Sequence, residues 1–395
     1  MNAAVFPRKS RRWVALLLAS LGLSCGDLPG RKQLPKPGTC PPDRPCPDTI
    51  GYQPKPDASY HGDNDGGLDK KRAILVSVDG LGAYYLRQQL AAGKLPHFAA
   101  LQQAGAATLN ARADYEYTIT LPNHTSMLTG RPVSADEKLP DTIYHGWTSN
   151  DVVTDTTTTL HNSGNPHLTY IASVFDVAHD HGLSTCMFTG KPKFNLFANS
   201  WGPKYGAPDE VGEDNGRNKI DRVVIIYTRG TPGDDTLITV VESDLTAGAC
   251  DFAFIHIADT DWVGHDEGWG SEKWLAVLDQ VDEWIGRIAV FADPKKTDHP
   301  FFLVVTADHG GSEKQHSDNT LPIDYTIPFY VVGPGIPANT DLYRLVGPGR
   351  ADPGEARIRY SAPRQPVRNA DAANAITWAL GLPPVPGSFM RDLLK

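Results

Sequence analysis

Three near-continuous apolar runs, each ending in acidic or imidazole side chains, constrain this chain more than any other feature. Residues 73–78 lead into Asp79, 252–258 into the stretch from Asp259 to His265, and 301–306 into Asp308 and His309. Runs that are apolar at successive positions, not alternate ones, suit strands buried on both faces, as in a parallel sheet covered by helices. Ligands of such sheets bind beyond the carboxyl ends of the strands, so residues distant in sequence converge there. A single Asp after a strand more often caps a helix or opens a turn. Three strand ends with hard oxygen ligands, two of them joined by imidazole, point instead to a metal centre of zinc type, with manganese and iron as competitors.

The chain has 395 residues, 40% hydrophobic and 21% charged, enough for one large globular domain or two small ones. Its first 24 residues stand apart. Arg8, Lys9, Arg11 and Arg12 precede an apolar stretch over 13–23, too short for a stable bilayer span, followed by Ser24, Cys25 and Gly26. This reads as an export signal over 1–24, with Cys25 placed as the lipidated residue of a bacterial lipoprotein. Ser10-Arg11-Arg12 also resembles a twin-arginine signal, which leaves the export route open. Expected location is therefore the cell envelope, with the protein anchored through Cys25 at the periplasmic or outer surface. Loss of the four signal cations takes the formal charge from −9 to −13. A chain so acidic, without a Lys/Arg cluster, is a poor partner for DNA or RNA, and no stable nucleic-acid complex is expected. Four cysteines remain: Cys40 and Cys46 could close a small local loop, while Cys186 and Cys250 could pair or remain buried thiols.

Residues 26–70, rich in Pro, Gly, Asp and Lys and without apolar periodicity, read as a flexible tether after Cys25. A folded domain is expected over 71–395. Within it the pattern predicts a helix over 84–105 with a possible stop at Gly93, a Thr-rich surface excursion over 141–165 near the site, a helix over 170–181, and strands over 183–189 and 223–228. A helix over 237–245, a strongly amphipathic helix over 273–291, a strand over 327–332 and a last helix over 370–380, stopped by Gly381, complete the series. Strands alternating with helices indicate an α/β sandwich.

Asp261 and His265, four apart, share one face if they lie on a helical turn. His316 is the only histidine after His309, with Glu313 and Asp318 as rival oxygen ligands nearby. Four motifs then stand in order: Asp79-Gly80, Thr120-Leu121-Pro122-Asn123-His124, Asp261-x-x-Gly264-His265 and Ala307-Asp308-His309-Gly310. Together they resemble the type I phosphodiesterase/nucleotide pyrophosphatase family of the alkaline phosphatase superfamily, over nearly all of 71–395. The resemblance implies a three-layer sandwich with a mostly parallel central sheet and two zinc ions. One would be held by Asp261, His265 and His316, the other by Asp79, Asp308 and His309, with Thr120 on the second metal as nucleophile. It further implies in-line attack on a small phosphorylated substrate, most readily a phosphodiester, through a phosphothreonine. Asn150, five residues after His145-Gly146, matches an Asn that donates to a phosphoryl oxygen; Asn123 and His124 read as supporting residues. Gly190-Lys191-Pro192-Lys193 resembles the substrate-binding lysine pair of phosphonoacetate hydrolases, although two solvated lysines fit the sequence as well. The short step from His309 to His316 departs from the nucleotide pyrophosphatases, so a phosphomonoesterase, a phosphonate hydrolase and a non-catalytic binding protein of the same fold remain as alternatives.

Overall fold

The computed structural model describes residues 49–51, 71–136, 138–202 and 218–394. Among the described residues nine strands form one sheet: β1 (Thr49–Gly51), β2 (Ala73–Val78), β3 (Ala106–Arg112), β4 (Thr185–Thr189), β5 (Arg222–Ile226), β6 (Phe252–Ile257), β7 (Phe302–Thr306), β8 (Thr326–Val332) and β9 (Thr340–Asp341). Their order is β1-β5-β4-β6-β2-β7-β8-β3-β9. The run β5-β4-β6-β2-β7 is parallel throughout, whereas β8 is antiparallel to both of its neighbours. All residues of β2, β4, β6 and β7 are buried, which is why these segments read as continuous apolar runs.

Two groups of helices enclose the sheet. Thr120–Thr129, Val174–Asp180 and Asp371–Leu380 pack together, the last lying against β2 and β7. Pro96–Ala104, Thr231–Thr246 and Glu272–Ala289 form the other group. Glu272–Ala289 buries Trp274, Leu278, Val281, Trp284, Ile285 and Ile288 at helical spacing. Its Asp282 accepts the backbone N–H groups of His97 and Phe98 at 3.0 and 2.8 Å, supplying the cap that Pro96–Ala104 lacks in its own sequence. The expected architecture, an alkaline-phosphatase-like three-layer sandwich about a mostly parallel sheet, is present.

Several boundaries differ from the sequence reading. The helix expected over 84–105 is two, Ala83–Ala91 and Pro96–Ala104, separated where Gly93 and Leu95 take positive φ and Pro96 offers no N–H. The helix expected over 170–181 is confined to Val174–Asp180, because Ser173 caps it and Asp176 returns the bond to the Ser173 amide. Strand β1 lies within the stretch read as tether and pairs antiparallel with β5. The export signal, Cys25 and the pair Cys40 and Cys46 lie outside the described residues. Cys186 and Cys250 form a disulfide, closing the pairing that the sequence left open. No helix among the described residues is long and apolar enough to cross a membrane.

Candidate metal centre and active site

The carboxyl ends of β2, β6 and β7 deliver the expected side chains to one place. Asp79 follows β2 directly. Asp261 and His265 lie on the helix Asp259–Glu267 that opens after β6, and Asp308 and His309 follow β7. Gly264 is required inside this helix, since a Cβ there would stand 2.5 Å from the Trp269 ring. Trp269 in turn donates its indole N–H to the Gly80 carbonyl, tying the helix to the end of β2.

Six ligand atoms form two triads. In the inner triad His309 Nε2 lies 3.4 Å from Asp79 Oδ1 and 3.3 Å from Asp308 Oδ2. In the outer triad Asp261 Oδ1 lies 3.4 Å from His265 Nε2 and 3.7 Å from His316 Nε2, and the two imidazole nitrogens are 3.1 Å apart. Tetrahedral zinc with bonds of about 2.0–2.1 Å needs ligand atoms about 3.3–3.4 Å apart. The inner separations to His309 meet that spacing, and those of the outer triad scatter around it from 3.1 to 3.7 Å. His309 Nε2 is also 3.9 Å from Asp261 Oδ1, and its ring stacks on His316 at 3.8 Å, so it stands between the triads but closer to the inner one. Asp79 Oδ1, Asp261 Oδ1, Asp308 Oδ2 and His309 Nε2 are buried without a hydrogen-bond partner. Their opposite atoms are all engaged. Asp308 Oδ1 accepts from the Gly80 and His309 amides, His309 Nδ1 bonds the Gly310 carbonyl, and His316 Nδ1 bonds the Thr118 carbonyl at 2.5 Å. Unpartnered atoms converging from oriented side chains fit a bound cation. Glu313 and Asp318 are exposed, whereas His316 is buried beside Asp261.

The electrostatics show the same crowding. Burial and the Asp79 charge push the Asp308 carboxyl up to about 8. Burial works against a charged His309, but the Asp308, Asp79 and Asp261 carboxylates outweigh it and lift the imidazole to about 9. His316 goes the other way, down to about 3, through burial and the nearby His309. Three carboxylates thus compete for scarce positive charge.

Thr120 opens the fully buried helix Thr120–Thr129 and lines a cavity of about 240 Å³ with Asn150, Lys193, Tyr227, Trp262 and His316. The amino end of that helix therefore faces the cavity, where its dipole favours an anion. Asn150 Oδ1 accepts from the Leu121 amide at 3.0 Å, which leaves the Asn150 NH₂ group as the donor end. Asn123 bonds Asp114, Ile119 and Asn369, and His124 bonds Ser77 Oγ and the Thr120 carbonyl, both as supports of the turn at Thr120.

Lys191 sits differently from the sequence expectation. Its ammonium is buried between Asp79 Oδ2 at 2.6 Å and Asp261 Oδ2 at 2.5 Å, so it faces the protein's own carboxylates although it borders the cavity. Lys193 lines the cavity and makes no ion pair among the described residues.

The model of the type I phosphodiesterase/nucleotide pyrophosphatase family matches residues 73–365, which include every one of these motifs. The chain belongs to that family. Its members are metal-dependent hydrolases of phosphoric ester bonds, and two buried clusters of this member, Asp79 with Asp308 and His309 and Asp261 with His309 and His316, are of the kind that can hold metal. Similar solved structures include murine ectonucleotide pyrophosphatase/phosphodiesterase 5, in an inactive threonine-to-alanine form bound to AMP. That likeness has a TM-score of 0.52 at 14% identity and covers 80% of this chain and 96% of that one. A protein of the alkaline phosphatase superfamily from Vibrio parahaemolyticus follows with a TM-score of 0.50 at 16% identity, covering 83% and 71%. At such identities the likeness speaks for the fold alone. No match was found among curated protein sequences.

Sequence reasoning missed His256. Its imidazole, on β6, reaches Asp79 Oδ2 at 2.9 Å, but in sequence it is one polar residue inside an apolar run. The signal was its position, five residues before Asp261 in a strand buried on both faces, where a histidine needs two polar partners.

Proposed function

We propose that this protein is a two-zinc phosphodiesterase in which Thr120 attacks phosphorus in line and passes through a phosphothreonine. The observation that carries the reading is the pair of triads, whose side-chain atoms approach one another to 3.1–3.7 Å, beside a threonine at the amino end of a buried helix. Zinc at these sites supplies Lewis acidity, favouring the alkoxide of the nucleophile and offsetting charge on the attacking and leaving oxygens. The Thr120 oxygen forms the new bond to phosphorus as the bond to the leaving alcohol breaks. Asn150 donates its NH₂ to a phosphoryl oxygen, and the amino end of Thr120–Thr129 favours the anionic group. Water then attacks phosphorus, breaking its bond to the Thr120 oxygen, so that the phosphate monoester is released and the hydroxyl restored. Lys193 offers a positive charge at the cavity wall to a second anionic group of the substrate.

Loss of activity in the threonine-to-alanine form of the murine protein, and its complex with AMP, support a threonine nucleophile and a small phosphorylated substrate. The Cys186–Cys250 disulfide supports an oxidising compartment, and with it export.

Elemental analysis of the purified protein, with a panel of para-nitrophenyl mono- and diesters and a phosphonate, tests the proposal. Close to two zinc ions per chain, preference for the diester and loss of turnover on chelation are expected. Stoichiometric manganese or iron would overturn the metal, monoester or phosphonate preference would overturn the substrate class, and metal-independent hydrolysis would overturn the mechanism.

A further inference from the structure

Resting on the two-metal reading, we propose that His256 is the positioning residue of the inner triad: it dictates which oxygen of Asp79 is presented to the metal, and it does so for that triad alone. His256 is fully buried on β6, in register with Ser77 of β2 and Thr189 of β4, and packed between Phe194 and His124 at ring separations of 4.4 and 5.0 Å. Both of its nitrogens are engaged. The Gly190 amide donates to Nδ1 at 3.3 Å. A backbone N–H can only donate, so Nδ1 carries no proton and the ring proton sits on Nε2. From there it is donated to Asp79 Oδ2 at 2.9 Å.

The direction of this chain of bonds has a consequence at the ligand. With Oδ2 committed to His256 and Lys191, Asp79 presents Oδ1, the unpartnered oxygen 3.4 Å from His309 Nε2. Gly190 admits the arrangement because it has no Cβ; one built there would stand 2.8 Å from the Ala258 Cβ and from Asp234 Oδ1. Lys191 also grips Asp79, but it grips Asp261 equally and so links the triads. Among the six ligands His256 hydrogen-bonds Asp79 only. Its neutral ring adds orientation without adding a positive charge that would oppose metal binding.

The test compares zinc affinity at each site in wild type, His256→Leu and His256→Gln, by chelator competition and by anomalous diffraction to see which site empties. Leucine removes the donor, whereas a glutamine amide can still donate to Asp79. In His256→Leu the inner site should weaken by about ten- to a hundredfold, the range for outer partners of metal ligands, while the outer site stays within about threefold. His256→Gln should recover most of the loss. Equal affinities in wild type and His256→Leu, or an equal loss at both sites, would overturn the inference. Should His256→Leu fail to fold, ¹⁵N chemical shifts of the ring in zinc-loaded wild type decide the matter. Protonated Nε2 with bare Nδ1 is expected, and the opposite tautomer would overturn it. Wild type that takes up no zinc at either site would overturn the two-metal reading and this inference with it.

Discussion

The two triads are built by different means. Asp79, Asp308 and His309 sit on the ends of adjacent parallel strands and are completely buried, so their spacing is set by the pitch of the sheet. Asp261 and His265 come from a single helical turn and His316 from a loop, and the His265 ring is 37% exposed toward the cavity. A helix turn fixes Asp261 against His265 locally, while the position of His316 depends on its bond to the Thr118 carbonyl. The difference teaches that one site is a property of the fold and the other of local chain geometry. The inner metal should accordingly be held more tightly and exchange more slowly.

Four experiments press on that contrast. Thr120→Ala should have the largest effect, lowering turnover at least about a thousandfold while both metals stay bound, because neither triad uses the threonine as its main ligand. A variant retaining a tenth of the activity would show that another group attacks phosphorus. His316→Ala should weaken the outer metal by about ten- to a hundredfold or more and leave the inner one in place. Metal analysis combined with diffraction reads this directly, and loss of both metals would mean that the triads are one cooperative unit. Graded chelation should pass through a state with about one zinc per chain, since exposed ligands release first; simultaneous loss would erase the distinction drawn here. The smallest effect at the site belongs to Cys186→Ala/Cys250→Ala. These cysteines join the second residue of β4 to a position two residues before β6, at the entry ends of the strands and away from the two triads. Their loss should lower unfolding stability by about 2–4 kcal/mol without changing metal affinity. A changed affinity would mean that the entry ends of the strands govern the exit ends.

What the sequence shows and hides follows the same division. The inner triad was legible because Asp79 and Asp308-His309 end runs whose burial on both faces leaves a plain apolar signature. Asp261 and His265 were legible from their spacing. The strand Ala106–Arg112 was not, since its burial is irregular and a register shift interrupts its pairing with β8. The helix Thr120–Thr129 escaped notice for the opposite reason: all ten residues are buried, so no polar face marks its period. Lys191 and His256 were beyond reach in another sense. Each acts across strands, Lys191 from the end of β4 over β6 to the end of β2, and such partnerships exist only once the strand order is known.

That wholly enclosed helix has an implication for how members of such a lineage can diverge. The Thr120 hydroxyl, held on a buried helix at the wall of the cavity, has little room to follow a substrate of new shape. Adaptation must therefore proceed at the mouth, where Val152, Tyr227 and Trp262 border the opening and Val152 and Tyr227 stand well out into solvent. Side chains there can be exchanged without disturbing the core on which turnover depends. On the proposed mechanism, selectivity and rate are housed in separate parts of the molecule, and each can drift without the consent of the other.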